Sequence, residues 1–346
     1  MTNSSQIPDV ALGIDLGGTN MRAAVFRGLR AAAEASRGAR SDAVAAAVQP
    51  VAERREPVGE DRAVESILER LHALANGLLT EAGCAGQPVP VGVGFAGMLR
   101  GTTGVVAHSP HLGWRDTPFG DLLRDRLGGK HRVVIENDVN AITWGEYLLG
   151  AGRGASDILA VYVGTGIGGG AVAGGRLLRG GSGCAVEIGH TKVVIDDSAR
   201  PCACGLKGCI EAYAGGIFIQ RRIRAELGGG GARSAAVALA GTADQLNPGH
   251  IDAAAAEGDD YALGLWAEIG PLLGVALANA VTLFNPERLI LGGGVLSRTP
   301  VLREHAAAAL EVAMNPPARD TVTVEDAQLG DDAGLVGSAL LALSTE

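Results

Sequence analysis

Asp15-Leu16-Gly17-Gly18-Thr19-Asn20 joins two apolar runs, Val10 to Ile14 and Met21 to Phe26. Each run reads as a buried strand, and six residues between them leave room only for a tight turn. The turn places a carboxylate at a strand end, then bare glycine backbone, then a hydroxyl. Backbone N–H groups bared in this way can face phosphate oxygens, and Asp15 can hold Mg²⁺ through water. A second strand–turn–strand unit follows from Ile158 to Val163, through Gly164-Thr165-Gly166, to Gly169–Ala173. Two such units predict two related halves with a nucleotide cleft between them.

Outward from these turns, strands are predicted at Val89–Phe95, Val105–Ala107, Val133–Ile135 and Leu289–Leu291, the last running into Gly292-Gly293-Gly294. Val64, Ile67, Leu68, Leu71, Leu74, Leu78 and Leu79 recur at helical spacing, which predicts a helix over Asp61–Ala82 capped by its aspartate. Further helices are expected at 139–149, 217–227, 261–284, 301–313 and 332–343. Strands that mix hairpins with helical crossovers imply an α/β protein with mixed sheets. The stretch Arg27–Glu56 is rich in Ala and Arg and takes no assignment.

Composition narrows the class. The chain has 346 residues, 47% of them hydrophobic, which exceeds the size at which single cores split. The expected division is a smaller domain over 1–137, completed by a C-terminal helix at 332–346, and a larger one over 138–331. Basic residues number 29 against 38 acidic, a net charge of −9, which argues against nucleic acid as a partner and supplies no polybasic membrane patch. Gly 53 and Pro 14 fall short of the roughly 25–30% that marks disorder, so the glycines are expected in turns and at close approaches. No unbroken apolar run reaches the roughly 18 residues of a membrane span. Met1 to Asp9 is polar, without the features of a signal peptide, and reads as a short disordered lead. The expected compartment is the cytoplasm.

Gly92-x-Gly94-x-x-Gly97 and Gly164-x-Gly166-x-x-Gly169 satisfy the dinucleotide pattern. That fingerprint needs a helix opening on its last glycine, and here a turn and a strand follow, so a NAD-dependent enzyme is not expected. Nor is there a G-x-x-x-x-G-K-[ST] loop.

His190, Cys202, Cys204 and Cys209 form the strongest chemical signal. One imidazole and three thiolates suit a closed tetrahedral zinc site, with Gly205 and Gly208 allowing the chain to turn between the last two cysteines. A closed site leaves no position for activating water, so the zinc is expected to be structural. Cys84 and Cys184 read as packing residues. Glu136-Asn137-Asp138-Val139-Asn140-Ala141 leaves a strand and opens a helix. Asp138 there is either an N-cap or a general base that takes a proton from a substrate hydroxyl.

Taken in order, Asp15-x-Gly-Gly-Thr19, Glu136-Asn-Asp138-x-Asn140-Ala, Gly164-Thr-Gly-Ile-Gly-Gly-Gly170, Glu187-Ile-Gly-His190 and Cys202-x-Cys-Gly-x-x-Gly-Cys209-x-Glu211 closely resemble the ROK family of sugar kinases. The resemblance runs from about Val10 to the C-terminus. It implies the actin-like, hexokinase-type (ribonuclease H-like) fold, two α/β domains around a central cleft. Implied with it are Mg²⁺–ATP as donor and a hexose as acceptor, glucose first, with fructose, mannose, N-acetylmannosamine and N-acetylglucosamine as rivals. Asp138 would be the base on the sugar's 6-hydroxyl. Gly97, Asn137, Glu187, His190 and Glu211 would line the sugar pocket, His190 also ligating zinc through its other ring nitrogen. Asp15, Gly17, Gly18, Thr19, Thr165 and Gly166 would embrace the ATP phosphates, and Gly292 and Gly293 would let adenosine approach the backbone. Homo-dimers or tetramers are common in such a family. Family repressors carry a DNA-binding domain ahead of the first turn, and nine residues before Val10 leave no room for one. A sugar-responsive regulator without catalysis is the rival reading. Two residues depart from the family pattern: Val186 stands where a glycine is usual, and His111 where asparagine is frequent.

Overall fold

The computed structural model describes residues 9–36 and 49–344. The expected N-terminal lead therefore lies almost wholly outside the described residues, as does the middle of the Ala/Arg-rich stretch. What is described of that stretch is a helix, Leu29–Ser36, and a strand, Ala52–Pro57. Only Ala52 of that strand is buried, so it carries no apolar alternation to be read.

Among the described residues, two five-stranded sheets and a three-stranded one form the strand framework. The first sheet runs Ala52–Pro57, Asn20–Arg27, Val10–Leu16, Val91–Phe95, Val133–Asn137. The second runs Arg176–Leu177, Ile167–Ala173, Ile158–Val163, Arg288–Gly292, Thr323–Asp326. Numbered within itself, each sheet reads third, second, first, fourth, fifth. That shared order is the duplication foreshadowed by the two strand–turn–strand units. In the first sheet Val10–Leu16 pairs antiparallel with Asn20–Arg27 and parallel with Val91–Phe95, which pairs parallel with Val133–Asn137. In the second, Ile158–Val163, Arg288–Gly292 and Thr323–Asp326 are parallel.

Packing groups the chain into two compact units. One comprises the described residues of Met1–Ser156, Ala171–Ala185 and Ala327–Glu346, the other Asp157–Gly170 and Val186–Asp326. The division falls after Ser156 and not after residue 137, because the helix Asp138–Leu149 packs on the C-terminal helix Ala333–Leu343 and on Val91–Phe95. The C-terminal helix lies so close to the first sheet that glycine is required beneath it. A Cβ at Gly13 would strike the Leu335 carbonyl and one at Gly92 the Ser338 carbonyl. The core of this unit includes a tilted cluster of Phe95, Trp114 and Phe119, with ring centroids 5.4–5.8 Å apart.

The predicted cap of the second helix needs correction. The helix spans Val64–Glu81, its N-cap is Ala63, and no side chain caps it. Asp61 instead accepts the Ala63 N–H at 3.1 Å, an Asx turn one step outside the helix. In the second unit, the helix Asp260–Phe284 is long and apolar enough by composition to cross a membrane, although charged residues interrupt its apolar runs. Leu273, Leu277 and Val281 are buried, and the helix packs along Pro300–Ala313, the environment of a core helix.

Candidate functional site

Three parallel strands of the first sheet end together, and their register fixes the neighbours. Asp15 is level with Gly94, and Gly94 with Glu136; Leu16 is level with Phe95, and Phe95 with Asn137. The first glycine turn, the Ala96-Gly97 loop and the Asn137-Asp138 helix start therefore share one sheet edge. Ligands of α/β sheets bind outside such carboxyl ends.

Within the turn, Gly17 donates its N–H to the Asn20 carbonyl at 3.0 Å, and Thr19 stays exposed. A Cβ on Gly18 would lie 2.8 Å from the ring of His111, so His111 packs over this turn. Burial pushes the Asp15 carboxyl up, with Arg22 and Arg55 opposing it. Arg22 is itself held by Glu53 and Asp332, each at 2.6 Å.

The helix start overturns the N-cap reading of Asp138. Asn137 is the N-cap: its Oδ1 accepts the N–H groups of Val139 at 3.0 Å and Asn140 at 3.1 Å. Asp138 is thereby the first helical residue. The Asn137 Nδ2 donates to the Asp138 Oδ1 at 3.0 Å and to the Gly97 carbonyl at 3.3 Å, tying base candidate and loop together. Glu136 and Arg179 belong to this group too, though the sequence reading assigned them no role. Buried Glu136 forms an ion pair with Arg179 at 2.6 Å and accepts from Asn140 and from the Asn137 N–H. Glu136 was visible within its motif; Arg179, more than 40 residues on, left no signal.

The second unit gathers the remaining candidates. In the turn after Val163, Gly164 donates to the Gly166 carbonyl at 2.9 Å. Gly292 is level with Tyr162, and a Cβ on Gly293 would strike the Val163 backbone, so both glycine stretches end side by side. Glu211 accepts the Ile167 N–H at 2.9 Å, which links the phosphate-turn strand to the cysteine loop. Glu187 precedes the short helix Ile188–His190; burial pushes its carboxyl up, His190 draws it down and Glu211 pushes it up again. Glu187, His190 and Glu211 thus form one electrostatic group of acceptors.

His190, Cys202, Cys204 and Cys209 place their ligand atoms within 4.8 Å of one another. Cys202 Sγ lies 3.7 Å from His190 Nδ1, and Cys204 Sγ 3.7 Å from Cys209 Sγ. Gly205 and Gly208 take φ of +85° and +76° to close the loop. Burial pushes the Cys202 thiol up to about 12, so alone it keeps its proton at neutral pH, and a divalent metal would displace it. Soft donors at this spacing fit a closed tetrahedral metal site. Lys192 Nζ, 2.7 Å from Cys209 Sγ, adds a positive charge beside the thiolates. Val186 adopts φ +61°, in the left-handed region that favours glycine, and its carbonyl lies toward Gly169.

The family model described as "ROK family" matches residues 11–345. A glucokinase of Streptomyces coelicolor is 37% identical over 262 residues, covering 73% of this chain and 80% of its own length. The crystal structure of a ROK family glucokinase from Streptomyces griseus, in complex with glucose and AMPPNP, aligns with a TM-score of 0.75 and 31% identity over 96% of this chain and 99% of that one. A ROK hexokinase from Thermus thermophilus aligns with a TM-score of 0.76 and 30% identity over 96% and 98%. The mixed α/β architecture is accordingly the actin-like one shared with these kinases, and the chain belongs to the ROK family.

Proposed function

We propose that this chain is an ATP-dependent glucokinase of the cytoplasm, making glucose 6-phosphate, the form in which glucose enters glycolysis. The observation that carries the reading is the register that sets Asp138 and the Asp15–Thr19 turn on one sheet edge, with Asn137 locking the Asp138 carboxylate. Likeness to a ROK family glucokinase solved with glucose and an ATP analogue supports it. Asp138 removes the proton of the 6-hydroxyl as that oxygen bonds to the γ-phosphorus. The bond from phosphorus to the β–γ bridging oxygen breaks, and ADP departs with the electron pair. Such transfer asks mainly for alignment, charge neutralisation and one base. Mg²⁺, carried with ATP and held through water by Asp15, would neutralise phosphate charge. The backbone of Gly17, Gly18 and Gly166 and the hydroxyls of Thr19 and Thr165 cradle the phosphates, and Gly292 and Gly293 admit adenosine. Glu187, His190, Glu211, Asn137 and Gly97 receive the sugar, carboxylates being strong acceptors of its hydroxyls.

His190, Cys202, Cys204 and Cys209 would hold one zinc ion, which fixes the ring orientation of His190 and orders the loop. Asp138→Asn keeps the hydrogen bond from Asn137 but cannot take the proton. Its turnover is expected to fall at least by the roughly 10²–10⁴-fold worth of a positioned base. A coupled ADP-release assay over a panel of hexoses, beside calorimetric glucose binding, checks both halves. Full turnover in this variant would remove the base; transfer to a hexose other than glucose would reassign the acceptor.

A further inference from the structure

The first sheet has a free edge that the kinase reading leaves unused. Among the described residues Val133–Asn137 pairs as a strand with Val91–Phe95 alone, which puts it at the end of the sheet. A cavity of about 380 Å³ lies along it, of the size that takes small metabolites. Arg124, Arg132, Arg179, Thr102 and Trp144 line it. Each guanidinium has five N–H donors and spends few: Arg124 on Asp121 at 2.8 Å, Arg179 on Glu136 at 2.6 Å, and Arg132 on the Ala342 and Ser344 carbonyls. Among the described residues that line the cavity and their ion-pair partners, two carboxylates against three guanidiniums leave one positive charge in excess. Trp144 is 7% exposed, and its indole N–H is buried without a partner among the described residues. The wall is thus rich in spare donors, and the ligand it suits is rich in acceptors.

The cavity is also wired to the base. Arg179 holds Glu136; Glu136 accepts from the Asn137 N–H at 3.1 Å; Asn137 donates to the Asp138 Oδ1. We propose that this cavity is a regulatory site for a phosphate-bearing anion of monosaccharide size. Its occupant competes with Glu136 for Arg179 and loosens the seat of Asp138, lowering turnover. The product of the proposed reaction has that chemistry, which would make the site a feedback device. The effect on turnover rests on the kinase reading; the binding does not.

Equilibrium dialysis of radiolabelled glucose 6-phosphate against the full chain, with saturating glucose holding the sugar pocket, tests the binding. One label per chain is expected to remain, displaceable by inorganic phosphate. At least tenfold weaker binding is expected in Arg124→Gln/Arg132→Gln, whose turnover without the anion stays within twofold of the parent. Thr102→Asp, on an exposed turn, puts a repelling carboxylate at the rim and decides the matter should the double variant fail to fold. Inhibition of the parent by glucose 6-phosphate should be non-competitive with glucose and relieved in both variants. Displacement of the label by glucose, or undiminished binding in the variants, would overturn the proposal. Binding that follows this pattern in a chain that turns over no sugar would overturn the kinase reading and leave the site standing.

Discussion

Val186 shows how the burial of a side chain can offset an unfavourable backbone angle. A β-branched residue at φ +61° sits in the left-handed region, a strain of about 1–3 kcal/mol. Its buried side chain returns roughly 1.5–3 kcal/mol. Val186→Gly gives up both, so its unfolding free energy is expected within about 1 kcal/mol of the parent. Val186→Ala keeps most of the strain and loses methyl burial, and should destabilise by about 1–2 kcal/mol. Chemical denaturation of the two variants separates the terms; a larger loss in the glycine variant would deny the strain. Asn137 and Asp138 make a related point. Adjacent residues of near-identical capping propensity divide the labour, and only the geometry shows that Asn137 caps.

Among the elements, the start of Asp260–Phe284 is held by a carboxylate that does three jobs. Asp259 accepts from the Ala262 N–H, the Ala235 N–H and the Ser234 hydroxyl at 2.8–2.9 Å, joining its own helix to the segment ahead of Ala236–Ala240. Burial works against its charge, but these donors outweigh burial and hold the carboxyl below its usual range. Asp259→Ala is expected to cost about 1–2 kcal/mol at neutral pH. A depressed folded value means the stabilisation is complete above the ordinary aspartate pKa of about 3.9 and is lost as pH falls through the folded value. The gap between parent and variant in urea denaturation should therefore close in acid; a gap that widens there would contradict the assignment. The cysteine loop turns on two left-handed glycines, and a metal held by its thiols and His190 would tie it down. Purified protein is expected to carry one zinc per chain by elemental analysis. Chelation should lower the calorimetric unfolding temperature and weaken glucose binding through His190. Protein free of zinc with unchanged stability would dismiss the site.

At the scale of the whole molecule, the chain does not divide by simple cutting. The first unit takes its sheet from residues before 157 and its covering helix from Ala333–Leu343. That helix meets Gly13 and Gly92 at backbone distance, and a Cβ on Gly337 would strike the Ala141 carbonyl. Chain ending at residue 326 is expected to lose the cooperative unfolding of the first unit, seen as a missing calorimetric transition and reduced helical circular dichroism. Two intact transitions would show the helix dispensable. Much of this architecture was legible beforehand, because strands buried on both faces read as unbroken apolar runs and turns as glycine clusters. The charged edge strand Ala52–Pro57, the cap at Ala63 and the end of the first unit were not, since an edge strand buries little and unit boundaries depend on contacts between distant segments. The sequence by itself determined the two glycine turns, the cysteine–histidine set and the candidate base, because each is a local pattern whose spacing carries its chemistry. Only tertiary structure decided that Asn137 and not Asp138 caps the helix, that Arg179 braces Glu136, and that Val186 bears a strained angle. Those outcomes arise where segments far apart in the chain compete for the same hydrogen bonds and the same space.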